Sequence, residues 1–388
     1  IFAYRNTPRQ AALAQVPSFR YLGCHLHQTK GIASHISTLY SSGFRASLSL
    51  SAKCSQAGMH HPRVKGPELF NTLVKPILTY ASEVWAPAFN SFDLSAHLAA
   101  VRRAAGPRNP ETLQLNFYRR LFSLRKSIPP ATILLETAST AIQHHWWALI
   151  IRYWNRLISA KHSPLLSAAF RASLDLSQHT SSCWAARVRQ GVAALGLDPG
   201  SLEQPRQVEQ SQLLKALATT QLPDIHDPDP RAGDPPQGRL RTAYEAWFRP
   251  PSGCRARHLS INTVHPTKLT TLSRFRLGSH RLRVTTGAWT HPATPLAERS
   301  CRFCGEGIED ARHLLLECTH EDLRQLRLAL PSPSGAEVAG DEGAPSGADA
   351  IRELAVAGDL DAHMRWLFLG ADQRKVADVV AKLMEMTA

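Results

Sequence analysis

The apolar positions of the chain recur mostly at helical spacing. After Ile32, apolar side chains follow one another at the intervals that place them on one face of a helix. These side chains are Ile36, Leu39, Tyr40, Phe44 and Leu48. A second helix is predicted from Pro67, because proline suits a first helical turn, and Pro76 is expected to bend or interrupt it. The residues it is expected to bury are Leu69, Phe70, Leu73, Val74 and Ile77.

Two further amphipathic helices are predicted on either side of RKSIPP, whose paired prolines favour a turn. Their apolar stripes are Leu113, Phe117, Leu121 and Leu124 on the first helix, and Ile142, Trp146, Leu149, Ile150, Tyr153 and Leu157 on the second. Their basic outer faces are Arg119, Arg120, Arg125 and Lys126, then Arg152 and Arg156. The alternating segment SFRYLGCHL instead predicts a hairpin or edge strand. The fold class is therefore mainly α, a helical bundle with a short β segment.

Composition indicates two linkers. LPDIHDPDPRAGDPPQG is crowded with Pro, Asp and Gly, and PSPSGAEVAGDEGAPSGADA is acidic and of low complexity, so neither holds enough apolar surface to fold alone. The resulting segments are 1–30 (short β segment), 31–160 (helical bundle), 161–222 (helical connector), 223–240 (flexible linker), 241–328 (basic segment with a Cys/His module), 329–350 (flexible linker) and 351–388 (helical tail).

The net charge of the chain limits the classes of partner it is expected to bind. Lys and Arg number 45 against 31 Asp and Glu, a net charge of +14, and the isoelectric point is near 9.8. Residues from 331 onward hold ten acids and five bases, so residues 1–330 carry +19. Such an excess favours nucleic acid as the partner. No apolar run approaches the roughly 18 residues of a membrane-spanning helix, and no signal peptide is recognised, so no membrane partner is expected.

Cysteine usage points to a metal more than to disulfides. Seven cysteines form an odd and modest set, which argues for a reducing, intracellular compartment, nucleus or cytoplasm. Three of them lie in CRFCGEGIEDARHLLLEC together with a histidine. Two residues separate Cys301 from Cys304, a spacing that a tight turn provides. His313 and Cys318 follow, separated by four residues. A Cys3His set of four is what a closed, tetrahedral structural zinc site requires, with no vacant position for catalysis.

The fourth ligand stays open at this point. On a continuous helix His313 and Cys318 are about 500° apart at roughly 100° per residue, and so lie on different faces. Either the helix ends near Leu316, or His320 replaces one of the ligands. Cys318 is preferred because a thiolate is the stronger ligand. The competing interpretation is three buried cysteines with a surface histidine.

A basic and aromatic stretch, LSRFRLGSHRLRVTTGAW, precedes the Cys/His motif. Arginines pair with phosphates and aromatic rings stack on unpaired bases, so this mixture is typical of a binder of single-stranded or hairpin RNA. The alternative is the solvated face of a basic helix. With two arginines of the knuckle, the candidate nucleic-acid-binding residues are Arg274, Arg276, His280, Arg281, Arg283, Arg302 and Arg312.

In order along the chain, FRYLGCHL, LVKPILTYASEVWAP, LFSLRKSIPPATILLE, LSRFRLGSHRLRVTTGAW and the Cys3His knuckle resemble the C-terminal half of a non-LTR (LINE-type) retrotransposon reverse transcriptase. The resemblance runs over most of residues 17–320. It implies that Phe19, Tyr21, Leu22 and Gly23 are a palm remnant that grips the primer, that the helices through ILTYASEVW form a thumb, and that Cys301, Cys304, His313 and Cys318 bind structural zinc. The partners it implies are an RNA template and target DNA, with no small-molecule substrate.

The departure from this family concerns catalysis. Polymerisation needs palm carboxylates, including a Tyr/Phe-x-Asp-Asp motif, to hold two Mg²⁺ ions, and the sequence contains no Asp-Asp pair. The fingers and most of the palm are expected to precede Ile1. Mg²⁺ is thus expected only at a polymerase centre outside this chain, which should be inactive by itself. The alternatives are a stand-alone zinc-dependent RNA-binding protein and a decayed reading frame without activity.

Overall fold

Most of the chain is helical in the computed structural model, which describes residues 2–3, 10–11, 16–56, 62–159, 164–203, 210–221, 243–251, 253–261, 264–333 and 356–387. The predicted linker 223–240 and most of the linker 329–350 lie outside these residues. Among the described helices, none combines the length and apolar character that crossing a bilayer requires.

The regular elements are two short hairpins and a succession of helices. The antiparallel hairpins are β1 (Phe2–Ala3) with β2 (Gln10–Ala11), and β3 (Ser18–Tyr21) with β4 (Cys24–His27). The α-helices are α1 (Ile32–Gln56), α2 (Pro62–Leu69), α3 (Lys75–Leu78), α4 (Ser82–Trp85), α5 (Leu94–Ala105), α6 (Pro110–Leu121), α7 (Pro130–Glu136), α8 (Ile142–Ser159), α9 (Pro164–Leu176), α10 (Trp184–Ala194), α11 (Gln210–Gln221), α12 (Pro266–Arg276), α13 (Arg283–Thr286), α14 (Glu321–Arg327), α15 (Leu360–Leu369) and α16 (Gln373–Met386).

Short non-α turns occur between these helices. In the described part of the chain three segments are π-helical, Phe70–Val74, Tyr244–Phe248 and His313–Glu317. Five are 3₁₀-helical, Ala86–Ala88, Pro199–Glu203, Arg257–Ser260, Gly287–Trp289 and Leu296–Glu298.

The chain forms two compact units, each made of three separate stretches. The first unit comprises Ile1–Ser47, Leu73–Leu113 and Ile142–Leu217, and the second comprises Leu48–Thr72, Gln114–Ala141 and Ala218–Ala388. Neither unit therefore coincides with a single segment drawn from composition. All the cysteines and histidines of the CRFCGEGIEDARHLLLEC motif belong to the second unit.

The β3–β4 hairpin belongs to the first unit. Its register pairs Tyr21 with Cys24, and the turn residues Leu22 and Gly23 have φ angles of 46° and 87°. The Tyr80 hydroxyl donates a hydrogen bond to the Leu22 carbonyl, and its ring lies 3.1 Å from where a Cβ on Gly23 would stand. A side chain there would be strained and crowded, so glycine is required. The side chains of Phe19, Tyr21 and Leu22 are more than half exposed.

Aromatic side chains fill the core of the first unit. Trp146, Trp147 and Trp154 on α8 are at most 1% exposed. Trp146 packs edge-on against Trp85 with ring centroids 4.8 Å apart, while Trp154 stacks on Trp184 at 5.3 Å. His144, Trp146 and Trp147 of the sequence HHWW are thus core, as the stripe through Trp146 indicates, whereas His145 is half-buried. The buried face of α8 is wider than that stripe.

A buried carboxylate holds the start of α8. Glu111 accepts hydrogen bonds from His97 Nε2 at 3.0 Å and from the N–H groups of Ile142 and Gln143 at 3.1 and 2.8 Å. These two amides open the first turn of α8, where backbone donors lack intrahelical partners and favour negative charge. Burial alone would raise the pKa of Glu111, but its hydrogen bonds with His97 and these amides hold the pKa below the ordinary value.

The prediction for the helix that includes Pro76 is wrong at its start and in part of its buried face. Helix α2 begins at Pro62 and contains Pro67, and Leu69 and Ile77 are only half-buried. Leu73 is 53% exposed, whereas Leu78, which the pattern did not include, is fully buried. The reason is the π-helical segment Phe70–Val74, which lies just before Pro76. Leu73 lies inside this segment, whose wider turn departs from the 3.6-residue repeat, so the periodicity that predicts Leu73 does not apply there.

An ion pair lies in the interior of the second unit. Arg276 Nε and Nη2 donate to the Glu136 carboxylate at 2.5 and 3.1 Å, and both side chains are at most 1% exposed. The other Arg276 donors reach the carbonyls of Phe248 and Phe368. The Tyr244 hydroxyl donates to Glu136 at 2.9 Å. Four parts of the unit, α7, the Tyr244–Phe248 segment, α12 and α15, are thereby joined.

We predict that Arg276→Met lowers the free energy of unfolding by about 3 to 5 kcal/mol, because it leaves the Glu136 carboxylate buried without its counter-charge. Urea denaturation followed by far-UV circular dichroism measures the loss. Arg281→Met, which changes an exposed arginine in the same way, should cost less than about 0.5 kcal/mol. Equal effects of the two substitutions would contradict this role of Arg276.

We predict that Glu111→Gln destabilises the protein at neutral pH by about 1 to 3 kcal/mol. Since the folded state lowers the pKa of Glu111, its ionised form stabilises the protein fully above the ordinary carboxyl range near 4.3. This stabilisation is lost as the pH falls through the folded pKa. The difference in melting temperature between wild type and Glu111→Gln should therefore shrink as the pH is lowered below about 4. A constant difference would contradict it.

Candidate metal centre and arginine cluster

A tight turn brings Cys301 and Cys304 together. Ser300 and Ile308 form an antiparallel bridge, the Cys301 N–H donates to the Gly307 carbonyl, and the Gly305 N–H donates to the Cys301 carbonyl, both at 2.9 Å. Gly305 has a φ of 76°, a left-handed conformation that glycine adopts without strain. The CxxCG spacing of the sequence therefore produces the turn that it predicts.

The second half of the cluster depends on the π-helical segment His313–Glu317. The Cys318 N–H donates to the His313 carbonyl at 2.7 Å, five residues back, and Cys318 itself has extended backbone angles of −54° and 129°. The helix thus ends at Glu317. The 500° separation calculated for a regular α-helix does not apply, because a π-turn and an extended residue return Cys318 to the side of His313.

The four side chains form one compact cluster. The thiol sulfurs of Cys301, Cys304 and Cys318 and one ring nitrogen of His313 all lie within 4.8 Å of one another. Cys301 Sγ is 3.8 Å from Cys318 Sγ, and Cys304 Sγ is 3.3 Å from His313 Nε2. Three sulfurs and one nitrogen are the donors that suit a tetrahedral site. These residues could therefore hold a metal ion.

The thiols differ in their surroundings. Burial raises the pKa of Cys318 to about 12, so its proton has to leave when a metal binds. Burial also acts to raise the pKa of Cys304, but hydrogen bonds from the Glu306 N–H and with the neighbouring thiols lower it. The Glu306 N–H to Cys304 Sγ distance is 3.4 Å.

His320, the alternative fourth ligand, does not belong to the cluster. Its ring packs edge-on against Phe303 with centroids 5.6 Å apart, and its Nδ1 lies 3.8 Å from an oxygen of Asp322. His320 precedes α14, so its side chain is directed by that helix start and not by the π-helical segment.

The structure divides the candidate nucleic-acid-binding residues into two sets. Arg276 pairs with Glu136 in the core, and His280 is buried, so the expectation that these two contact phosphates is withdrawn. Arg302 forms hydrogen bonds with both oxygens of Glu309. Arg312 lies between Glu317 and Asp361, at 3.5 and 3.1 Å. Their charges are already neutralised by neighbouring carboxylates.

Two further candidates, Arg274 and Arg281, lie close to Arg125, which was not among the candidates, and we call these three residues the arginine cluster. Burial lowers the pKa of Arg125, and the charges of Arg274 and Arg281 lower it further. Among the described residues, no carboxylate lies within ion-pair distance of these three guanidinium groups. Arg125 Nη1 is buried and has no hydrogen-bond partner. The cluster is therefore a concentration of uncompensated positive charge.

Trp289 borders the arginine cluster. The Arg125 guanidinium lies over its indole ring, with Cζ 4.1 Å from the ring centroid, and half of the Trp289 surface is exposed. This cation–π contact holds both groups in place. Arg283, also exposed, donates to the Ser300 carbonyl at 3.0 Å.

Sequence reasoning did not place Arg125 in the candidate site. It assigned Arg125 to the basic outer face of a helix, about 150 residues before Arg274. The structure places it instead in the turn after α6, where its backbone N–H donates to Ser279 Oγ at 3.2 Å. The basic residues near Arg125 in the sequence were the one signal that it could bind an anion. Nothing in the sequence indicates its contact with Trp289.

We predict that the purified chain holds about one divalent metal ion, measured by elemental mass spectrometry. The double variant Cys301→Ser, Cys304→Ser should lose the ion because two of its four ligands are gone. His320→Ala should retain it, as a matched change of a neighbouring side chain outside the cluster. Stoichiometric metal in the double variant, or its loss in His320→Ala, would contradict the ligand set.

Comparison with known proteins identified no relative of this chain. No protein-family model, no curated protein and no solved structure matches the chain. The resemblance to non-LTR retrotransposon reverse transcriptases therefore rests on the order of the quoted segments alone, and remains a prediction.

Proposed function

We propose that this chain is a nucleic-acid-binding module whose Cys/His cluster holds a structural zinc ion. The arginine cluster carries the proposal. Three guanidinium groups that repel one another, without a carboxylate partner among the described residues, are stabilised when an anion binds. An exposed indole beside them offers a stacking surface for an unpaired base.

Zinc fits the Cys/His cluster better than other metals. Three thiolates and one imidazole are soft and borderline ligands, and magnesium and calcium prefer oxygen. Because all four positions are protein side chains, the ion would stabilise the fold and would not activate water. The same elemental analysis should identify zinc. Its proposed task is to fix the loop from Ser300 to Cys318 next to α13, whose Arg283 bonds to the Ser300 carbonyl.

The family is part of the proposal. The order of the quoted segments supports a C-terminal portion of a non-LTR retrotransposon reverse transcriptase, with RNA template and target DNA as partners. In this proposal the chain contributes binding and no polymerase chemistry, because it has no Asp-Asp pair. A stand-alone zinc-dependent RNA-binding protein would use the same surface. Binding of a primer-template junction in preference to single strands would favour the reverse transcriptase.

We predict that the chain binds a single-stranded RNA oligonucleotide with an affinity that falls steeply as salt rises. For single strands the log–log slope is about −0.7 per phosphate contact. Arg281→Ala and Arg274→Ala should each weaken binding and make the slope less negative by about 0.7, since each removes one phosphate contact. Fluorescence anisotropy between about 50 and 200 mM salt measures both quantities.

Arg324→Ala is the matched control, because its exposed guanidinium already lies 3.8 Å from Glu321. It should leave the slope unchanged. Binding that does not depend on salt, or an Arg324→Ala effect as large as that of Arg281→Ala, would refute the proposed surface.

A further inference from the structure

A cavity of about 340 Å³ lies in the second unit. Its volume is at the lower end of the range of small-molecule sites. The lining residues include three aromatic ones, Trp247, Phe248 and Phe275. Ile308 and Ala311, which lie between the metal-binding residues of the sequence, also line it. The cavity therefore offers aromatic and aliphatic side chains to a ligand and lies next to the Cys/His cluster.

Two polar groups of the wall retain unused hydrogen-bonding capacity. His280 Nδ1 accepts the Leu282 N–H at 3.3 Å, which leaves the ring proton on Nε2, and Nε2 has no partner among the described residues. Asp310 Oδ1 accepts the His313 N–H at 2.8 Å, and its second oxygen has no such partner. The wall thus offers one donor and one acceptor.

Other polar groups of the wall are already engaged. Asp361 accepts hydrogen bonds from Trp247 Nε1 at 2.9 Å and from Arg312 at 3.1 Å. The Arg276 guanidinium is paired with Glu136. The recognition capacity of the cavity consequently lies with His280 and Asp310.

The cavity is close to the arginine cluster through His280. This residue lines the cavity, and the charges of Arg125 and Arg274 act on its ring, which burial and these charges keep neutral with a pKa of about 3. Arg281 follows it directly in sequence. A ligand with a flat heterocycle in the cavity and a phosphate outside it would meet both features at once.

We propose that the cavity takes one unstacked nucleobase with an exocyclic amino group, cytosine or adenine, while the arginine cluster holds the phosphate of the same nucleotide. Cytosine and adenine present an amino donor beside a ring-nitrogen acceptor, the complement of the free Asp310 oxygen and the His280 Nε2 proton. Uracil presents a carbonyl where cytosine has the amino group. This inference rests on the proposed function and adds base selection to it.

The test uses the full chain with nucleoside monophosphates and saturation-transfer NMR. CMP and AMP should bind about tenfold more tightly than ribose 5-phosphate, because only they stack in the cavity. UMP should bind more weakly than CMP. Ala246→Leu, which adds three carbons to the cavity wall, should abolish the preference for CMP over ribose 5-phosphate. Ala297→Leu, the same change at an exposed residue, should leave it intact.

A second measurement covers the case in which Ala246→Leu does not fold. CMP should shift the indole N–H resonance of Trp247, assigned by its absence in Trp247→Phe, and ribose 5-phosphate should not. Equal affinity of the wild type for CMP and ribose 5-phosphate, or a preference for CMP that survives in folded Ala246→Leu, would overturn the inference. Salt-dependent RNA binding by such a protein would leave the proposed function standing. A chain that binds neither RNA nor CMP would refute both.

Discussion

The buried pair of Glu136 and Arg276 constrains the whole second unit. Taking both charges out of water is unfavourable unless every donor and most acceptor positions are matched inside the protein. Here Arg276 bonds to Glu136 and to the carbonyls of Phe248 and Phe368, and Tyr244 donates to the same carboxylate. These bonds fix α7, α12, α15 and the Tyr244–Phe248 segment relative to one another.

The Glu136–Arg276 pair also affects the cavity proposed as a ligand site. Phe248 and Arg276 both line the cavity, and so do Ile308, Asp310, Ala311 and Arg312, which lie in sequence between the cysteines and the histidine of the Cys/His cluster. The ion pair and the Cys/His cluster, which could hold a metal ion, therefore both support residues of the cavity wall.

Local sequence patterns predicted the turns, the hairpin and one buried helix face. Contacts between residues far apart in the sequence could not be predicted in this way. The CxxCG turn, the hairpin at Phe19–Tyr21 and the buried face through Trp146 follow from spacing alone. The role of Arg276 does not, since it alternates with Arg274 in RFRLGSHR and only Glu136, far away in sequence, distinguishes them. Leu73 was misplaced because a π-turn has no reliable pattern of apolar residues.

Net charge is a poor guide to where a basic protein binds. Arg302 and Arg312 lie nearest the metal cluster in sequence, yet Glu309, Glu317 and Asp361 neutralise them. Arg125, Arg274 and Arg281, by contrast, lie close together, and among the described residues no carboxylate is within ion-pair distance of them. An arginine paired with a carboxylate must give up that partner before it meets a phosphate, so its net gain on binding is small. Affinity for a polyanion should therefore follow the unpaired arginines and not the total of +14.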